Sequence, residues 1–358
     1  MKINSTFSLS VAFAVSISMV SCNKSSDPIK GDYQSGVLVA NEGNFSASNG
    51  DVTYYNPSSG LVDQSIFQKV NGSFAGKVLQ SITVDGDVGY LVLNGDNKIE
   101  IVNSNTFKLT NTFTNPLLIN PRYLQVINGK AYISAWGAYD QNYSLVKSYV
   151  LVMDTKTLQM VDTIGTGIGV ENLLYNGKYL FAANNNFGGS NTVTVIDPTT
   201  NKAVANIMLA AGPSAMALDA NNKLWVLTSG SSTNYVGNND GKFFCVNAAT
   251  FAIEKTIELK ANPGTDLGLS PDKNSLYYYV NNAVYKFGIT STTAPATAWS
   301  NTSLTTLYAL GVDPKTGEVY LGDALNYASD GKVYRYNTDG TLKASINAGI
   351  SPGQFIFR

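Results

Sequence analysis

A short phrase recurs along this chain, and its recurrence limits the possible fold more than any other feature. A polar turn leads into an apolar run that usually opens on an aromatic residue: "DVGYLVLN" (87–94), "GKAYISAW" (129–136), "GKYLFAAN" (177–184), "NKLWVLTS" (222–229), "NSLYYYVN" (274–281) and "GEVYLGDA" (317–324). "SGVLVANE" (35–42) is a degenerate first copy. With Leu38, Tyr90, Tyr132, Tyr179, Trp225, Tyr277 and Tyr320 as anchors, successive copies lie 52, 42, 47, 46, 52 and 43 residues apart. A period of that size belongs to repeat architectures, whose units cannot bury their apolar faces alone.

A second phrase follows each anchor, a strand ending in an Asn or Asp turn, as in "VTYYNPSSG" (52–60), "VLVMDTKTL" (150–158) and "VTVIDPTTN" (193–201). Asn and Asp side chains accept hydrogen bonds from backbone amides one or two residues on, so Asp154 and Asp197 read as turn residues rather than catalytic acids. Apolar alternation has period two throughout, and no 3.6-residue helical pattern stands out. Each period therefore holds four strands: A ("PSAMALD" type), B (after the anchor), C ("VTVID" type) and D ("KAVANIML" type). The expected fold is all-β, a seven-bladed β-propeller of four-stranded blades.

The chain ends on "SPGQFIFR" (351–358), the opening phrase of another copy. The first copy starts at strand B near Gly36 and lacks a strand A. The terminal strand is expected to supply it and to close the ring, since an open ring would expose a raw sheet edge.

Composition narrows the chemistry. The chain has no histidine, which removes Ser-His-Asp and Cys-His triads and His-ligated metals. A net charge of −1, with no basic cluster, argues against nucleic acid. At the N-terminus, Lys2 precedes the 14-residue apolar run 7–20, too short to span a bilayer, and then Ser21 and Cys22. That pattern resembles a bacterial lipoprotein signal. The expectation is a signal peptide at 1–21, lipidated Cys22 heading a polar tether at 22–35, and one domain at 36–358, with the lipid as the membrane attachment. Cys245 then has no disulfide partner and reads as a buried structural thiol.

"VANEGNF" (39–45), "NPRYLQVINGKAYIS" (120–134) and "GKVYRYNTDGTLKASINAGISPGQF" (331–355) carry a family resemblance. The chain resembles the YVTN-type propellers of surface-layer and cell-surface proteins. More narrowly, it is similar to exported propeller lipoproteins of Bacteroidetes-type bacteria. Some of these are surface corrinoid binders that deliver cobalamin to a TonB-dependent outer-membrane transporter. The resemblance implies an outer-membrane, cell-surface location, a corrinoid ligand and a transporter partner.

Loop lengths single out one end of the ring. A–B and C–D turns are tight, whereas five B–C loops are long: 41–51, 135–148, 184–192, 228–241 and 323–331. These loops form a bowl whose chemistry is aromatic and amide. Its candidate ligand-binding residues are Asn41, Asn44, Phe45, Trp136, Tyr139, Asn185, Phe187, Tyr235 and Tyr327. Trp136 and Phe187 lead, because small neighbours offer them little to pack on. At the channel mouth, Arg122, Glu171 and Asp266 begin inner strands, and Arg122 is expected to pair with one of the acids. Such a surface suits a large amphipathic molecule, whether corrinoid, glycan or peptide. The leading expectation is a non-enzymatic, lipid-anchored binder without cofactor or catalytic residue. The alternatives are a calcium-dependent lactonase-like enzyme, using Glu171, Asn172, Asp266 and Glu42, and a protein-interaction platform.

Overall fold

A computed structural model describes residues 30–231 and 240–358, together with Met1. Among the described residues the strands form seven four-stranded antiparallel sheets arranged as a β-propeller. The inner strands, in ring order from blade one, are Pro352–Phe357, Leu79–Asp85, Pro121–Ile127, Val170–Tyr175, Pro213–Leu218, Gly268–Leu269 and Leu307–Val312. Blade one joins both ends of the domain. Its inner strand pairs with Val37–Asn41 in the register Val37↔Phe357, Leu38↔Ile356 and Val39↔Phe355, as the sequence leads one to expect.

Each blade is apolar on both faces, so the core is not a single mass but a set of seams. Among the described residues there are seven apolar clusters, each straddling one blade boundary. The seam between blades seven and one packs Tyr320, Val333 and Ile346 against Val37, Val39, Tyr55, Phe355 and Phe357. The B-strand anchors fill these seams. Tyr132, Trp225, Tyr277 and Tyr320 are fully buried, and burial of each contributes roughly 1.5–3 kcal/mol. Two of their polar tips find partners, while the buried Tyr320 hydroxyl has no hydrogen-bond partner among the described residues. Tyr132 Oη donates to Asn201 Oδ1 at 2.8 Å, and Trp225 Nε1 donates to Asp219 Oδ2 at 2.9 Å.

Three details depart from the repeat pattern. In blade four the residue that fills the seam is Phe181, not Tyr179. Phe181 pairs with Val195, two residues before the Asp197 turn, as Trp225 pairs with Cys245 two before the Asn247 turn. Tyr179 lies just outside strand Leu180–Asn184 and packs on Phe251 instead. Blade six has inner and outer strands of only two residues each, Gly268–Leu269 and Ser300–Asn301. Blade one has a two-residue outer strand, Val62–Asp63, followed by a helix, Ile66–Asn71, that period-two alternation concealed. The helix exists because buried Asp51 accepts the Phe67 and Gln68 amides at 2.9 and 3.0 Å while Ile66 and Phe67 enter the first seam. Burial pushes the Asp51 carboxyl up to about 6, against the pull of those amides.

The segment leading into Gly36 is packed rather than free. Tyr33 is buried against Tyr54 and Phe107, and its amide donates to Asn105 O at 2.9 Å. Lys30 pairs with Asp87 at 3.0 Å. Asp87 and Asn105 sit in the A–B and C–D turns of blade two, so the chain enters the ring on the end opposite the B–C loops. Cys22, the expected signal peptide and most of the expected tether lie outside the described residues. Among the described residues no helix is long and apolar enough to cross a membrane.

Candidate functional site

Strand A of a blade starts, and strand B finishes, at the same end of the ring. The B–C loops and the first residues of the inner strands therefore surround one depression, a cavity of about 680 Å³. Glu42, Phe45, Gln80, Asn94, Arg122, Tyr123, Trp136, Tyr139, Glu171, Phe187, Asp266 and Tyr308 are among its lining residues. They come from six different blades, so the cavity exists only in the closed ring.

On one side the wall is built around Arg122. Its Nε donates to Glu171 Oε2 at 2.9 Å, and its guanidinium donates to Gln80 Oε1. The same group lies over Trp136, 4.2 Å from the ring centroid, and Trp136 meets Phe187 edge to face at 5.0 Å. Converging inner strands thus bring an arginine and an acid from neighbouring blades into contact, the outcome their charges favour. Burial pushes the Glu171 carboxyl up while Arg122 pulls it back. The indole N–H of Trp136 forms no well-aligned hydrogen bond, yet it is near enough to help stabilise the Glu171 charge.

The other side is acidic and phenolic. Tyr308 Oη donates to Glu42 Oε2 at 3.0 Å, and the Leu310 amide donates to Asp266 Oδ2 at 2.8 Å. Burial raises both carboxyls, that of Asp266 up to about 7. Tyr123 stands between the two sides, held un-ionised by burial and by the nearby Glu171.

The expected ligand residues divide into two groups. Phe45, Trp136, Tyr139, Asn185, Phe187, Arg122, Glu171 and Asp266 do line the cavity. Phe187 is 63% exposed and Phe45 78%, so their faces are presented to solvent at the rim. Trp136 is only 8% exposed; its small sequence neighbours hid the fact that Arg122 and Phe187 pack on it.

Four of the expected residues have their polar groups turned to structural contacts or to a neighbouring pocket. Asn41 is 2% exposed and structural: its amide donates to Thr53 Oγ1 at 3.0 Å, and its Oδ1 accepts the Gly349 N–H at 3.1 Å. Its place at the end of strand B turns it into the sheet rather than into the bowl. Asn185 reaches the cavity with its amide already engaged, to Gly212 O at 3.1 Å and from the Gly188 N–H at 3.1 Å. Asn44 and Tyr327 line a smaller neighbouring pocket of about 160 Å³. There Asn44 folds its carboxamide onto Ser46, and Tyr327 stands edge-on to Tyr308. Tyr235 lies outside the described residues.

Sequence reasoning gave Glu42 a part only in the calcium alternative and overlooked Gln80 and Thr265, since nothing local marks them. Only the ring brings residues 42 and 308 together. Among the described residues no three carboxylate, thiol or imidazole groups cluster closely enough to hold a metal ion, so Glu42, Glu171 and Asp266 share one cavity without converging on a point. Cys245 is buried, and burial pushes its thiol up to about 11, as befits a seam residue.

A family match runs through residues 35–357, the whole ring. None of the curated proteins compared with the chain matches it. Among solved structures, a quinonprotein alcohol dehydrogenase-like protein from Bacteroides thetaiotaomicron is similar, with a TM-score of 0.68 at 16% identity over 92% of this chain and 79% of that one. Hydrazine synthase from Kuenenia stuttgartiensis gives a TM-score of 0.55 at 16% identity over 76% of this chain and 87% of that one. At such identities the likeness is one of fold.

Proposed function

The chain belongs to the family described as Domain of unknown function (DUF5074), and on that premise we propose that it is a non-enzymatic binding propeller that takes a bulky amphipathic organic ligand in the mouth bowl. One observation carries this reading: aromatic faces and hydrogen-bonding groups from all seven blades, Ser214 being that of blade five, meet around one cavity of about 680 Å³. Cavities of roughly 300–1,000 Å³ with mostly apolar walls and a few placed polar groups are the usual receptacles of small organic molecules. The polar groups here are already engaged with one another, Arg122 with Glu171 and Tyr308 with Glu42. That arrangement favours gripping a ligand over turning one over.

A corrinoid is the first candidate, by resemblance to the surface corrinoid-binding propellers. Its flat ring suits the exposed faces of Phe45, Tyr139 and Phe187, and its amide side chains suit Gln80, Asn94 and Asn120, all on the cavity wall. In the same reading Cys22 carries lipid and a TonB-dependent transporter receives the cargo. The chain enters the ring on the end opposite the bowl, so an N-terminal lipid would leave the bowl directed away from the membrane.

Calorimetric titration with cyanocobalamin tests the reading. A saturable heat at micromolar ligand is expected, and Phe187→Ala should weaken binding at least about tenfold, as loss of an aromatic anchor does. The absence of any heat at micromolar cyanocobalamin would reject the corrinoid.

A further inference from the structure

The charges of the bowl are unevenly matched. Arg122 is committed to one side, paired with Glu171 and stacked on Trp136. Lys77, also on the wall, lies over the ring of rim residue Phe45 at 5.2 Å. Across the mouth, Glu42 of blade one and Asp266 of blade six line the cavity, and among the described residues neither forms an ion pair. Each is held by one neutral donor, Glu42 by the Tyr308 hydroxyl and Asp266 by the Leu310 amide. The Glu42 charge disfavours that of Asp266, Arg122 reaches Glu42 at longer range without pairing with it, and Tyr123 lies within electrostatic range of both acids.

We infer that the ligand of this bowl presents an organic cation, an alkylammonium or guanidinium group, to the floor between Glu42 and Asp266, where Tyr123 and Tyr308 wall the cavity. The inference rests on the reading of the bowl as a binding site and not on the corrinoid, whose periphery carries amides rather than an organic cation. A carboxylate sunk in protein without a counter-charge is costly, and a cation arriving with the ligand removes that cost. Tyrosine faces add a direct attraction for ammonium groups. A calcium ion would need six to eight oxygen ligands, and no set of three acids clusters here. The vacancy in charge therefore suits a diffuse organic cation.

The test compares choline with its neutral carbon isostere, in which a tert-butyl group replaces trimethylammonium, by calorimetry on the full chain. Choline is expected to bind saturably in the millimolar range, and the isostere at least about tenfold more weakly. Glu42→Gln and Asp266→Asn should each weaken choline by about tenfold, while calcium chloride does not compete. Asp266 is pushed up to about 7, and Glu42, Glu171, Arg122, Tyr123, Tyr279 and Tyr308 are the other titratable groups around it, so choline should also bind more weakly at pH 6 than at pH 8. Equal binding of choline and its isostere, no binding of either, or displacement of choline by calcium would each overturn the inference. A cyanocobalamin arm keeps the two readings apart. Cobalamin binding without choline binding removes the cation subsite and keeps the bowl; choline binding alone removes only the corrinoid.

Discussion

Deletion of residues 349–358 is expected to abolish the folded ring. The deletion removes the inner strand of blade one, Pro352–Phe357, together with its ladder to Val37–Asn41. It also removes Phe355 and Phe357 from the seam against Tyr320. Two side-chain ties go as well: Gln354 Oε1 accepts the Ile82 amide at 2.7 Å, and the Arg358 guanidinium donates to Tyr33 O and to Asn105 Oδ1 across blade two. A handful of ladder hydrogen bonds, each net about 1 kcal/mol, and several apolar side chains amount to roughly 10 kcal/mol. That is comparable with the whole stability of a typical domain, about 5–15 kcal/mol. The exposed edge of Val37–Asn41 would in addition template aggregation. Thermal melts and size-exclusion profiles of the truncated chain are the measurement. A synthetic peptide of residues 349–358 should restore part of the melting temperature by adding back the strand. A truncated chain that melts like the intact one would show that the closure is dispensable.

The closure was legible in the sequence because it needs only period and order: seven copies of one phrase, the first lacking its start, and at the terminus the opening of one more without its continuation. The bowl was legible as a place, since long loops fall on one end by the up-and-down path of each blade. Individual side chains were legible only where neighbours in sequence decide their fate. Asp154, predicted to serve a turn, accepts the Thr157 amide at 2.8 Å. Asn41 was misjudged because its partners are Thr53 and Gly349, the latter some three hundred positions away. Tyr179 was misjudged because the turn phrase "NGK" fixes where a strand can start, whereas the facing C strand fixes which residue enters the seam. The pairing of Tyr308 with Glu42 requires the ring to close, so no local pattern announces it.

Asp266→Asn is expected to stabilise the protein at pH 8 and to leave it nearly unchanged at pH 4. The native carboxyl is pushed up to about 7, burial being the dominant cause, whereas an unfolded aspartate titrates near 3.9. Between those values the native state holds a proton that the unfolded state has lost. Stability therefore falls as pH rises through that window, and the loss is complete above about pH 7. A shift of about three units is worth at most ~4 kcal/mol; because the carboxyl opens onto a water-accessible cavity, about 2 kcal/mol is the expected gain. Asparagine keeps an oxygen for the Leu310 amide and carries no charge to bury. Urea denaturation at pH 5 and pH 8, on the variant and the parent, isolates this group from Glu42, Glu171 and Asp51, which titrate in both. Glu318 gives the opposite sign and serves as control. Burial opposes its charge, but Lys343 and Arg335 hold its carboxyl below the usual range. Its contribution is present above an unfolded pKa of about 4.3 and is lost as pH falls through the native value, so Glu318→Gln should destabilise at pH 8. An acid that costs stability where it stands, beside one that supplies it, distinguishes a charge kept for a ligand from a charge kept for the fold. Equal stability of Asp266→Asn and the parent at pH 8 would remove that distinction.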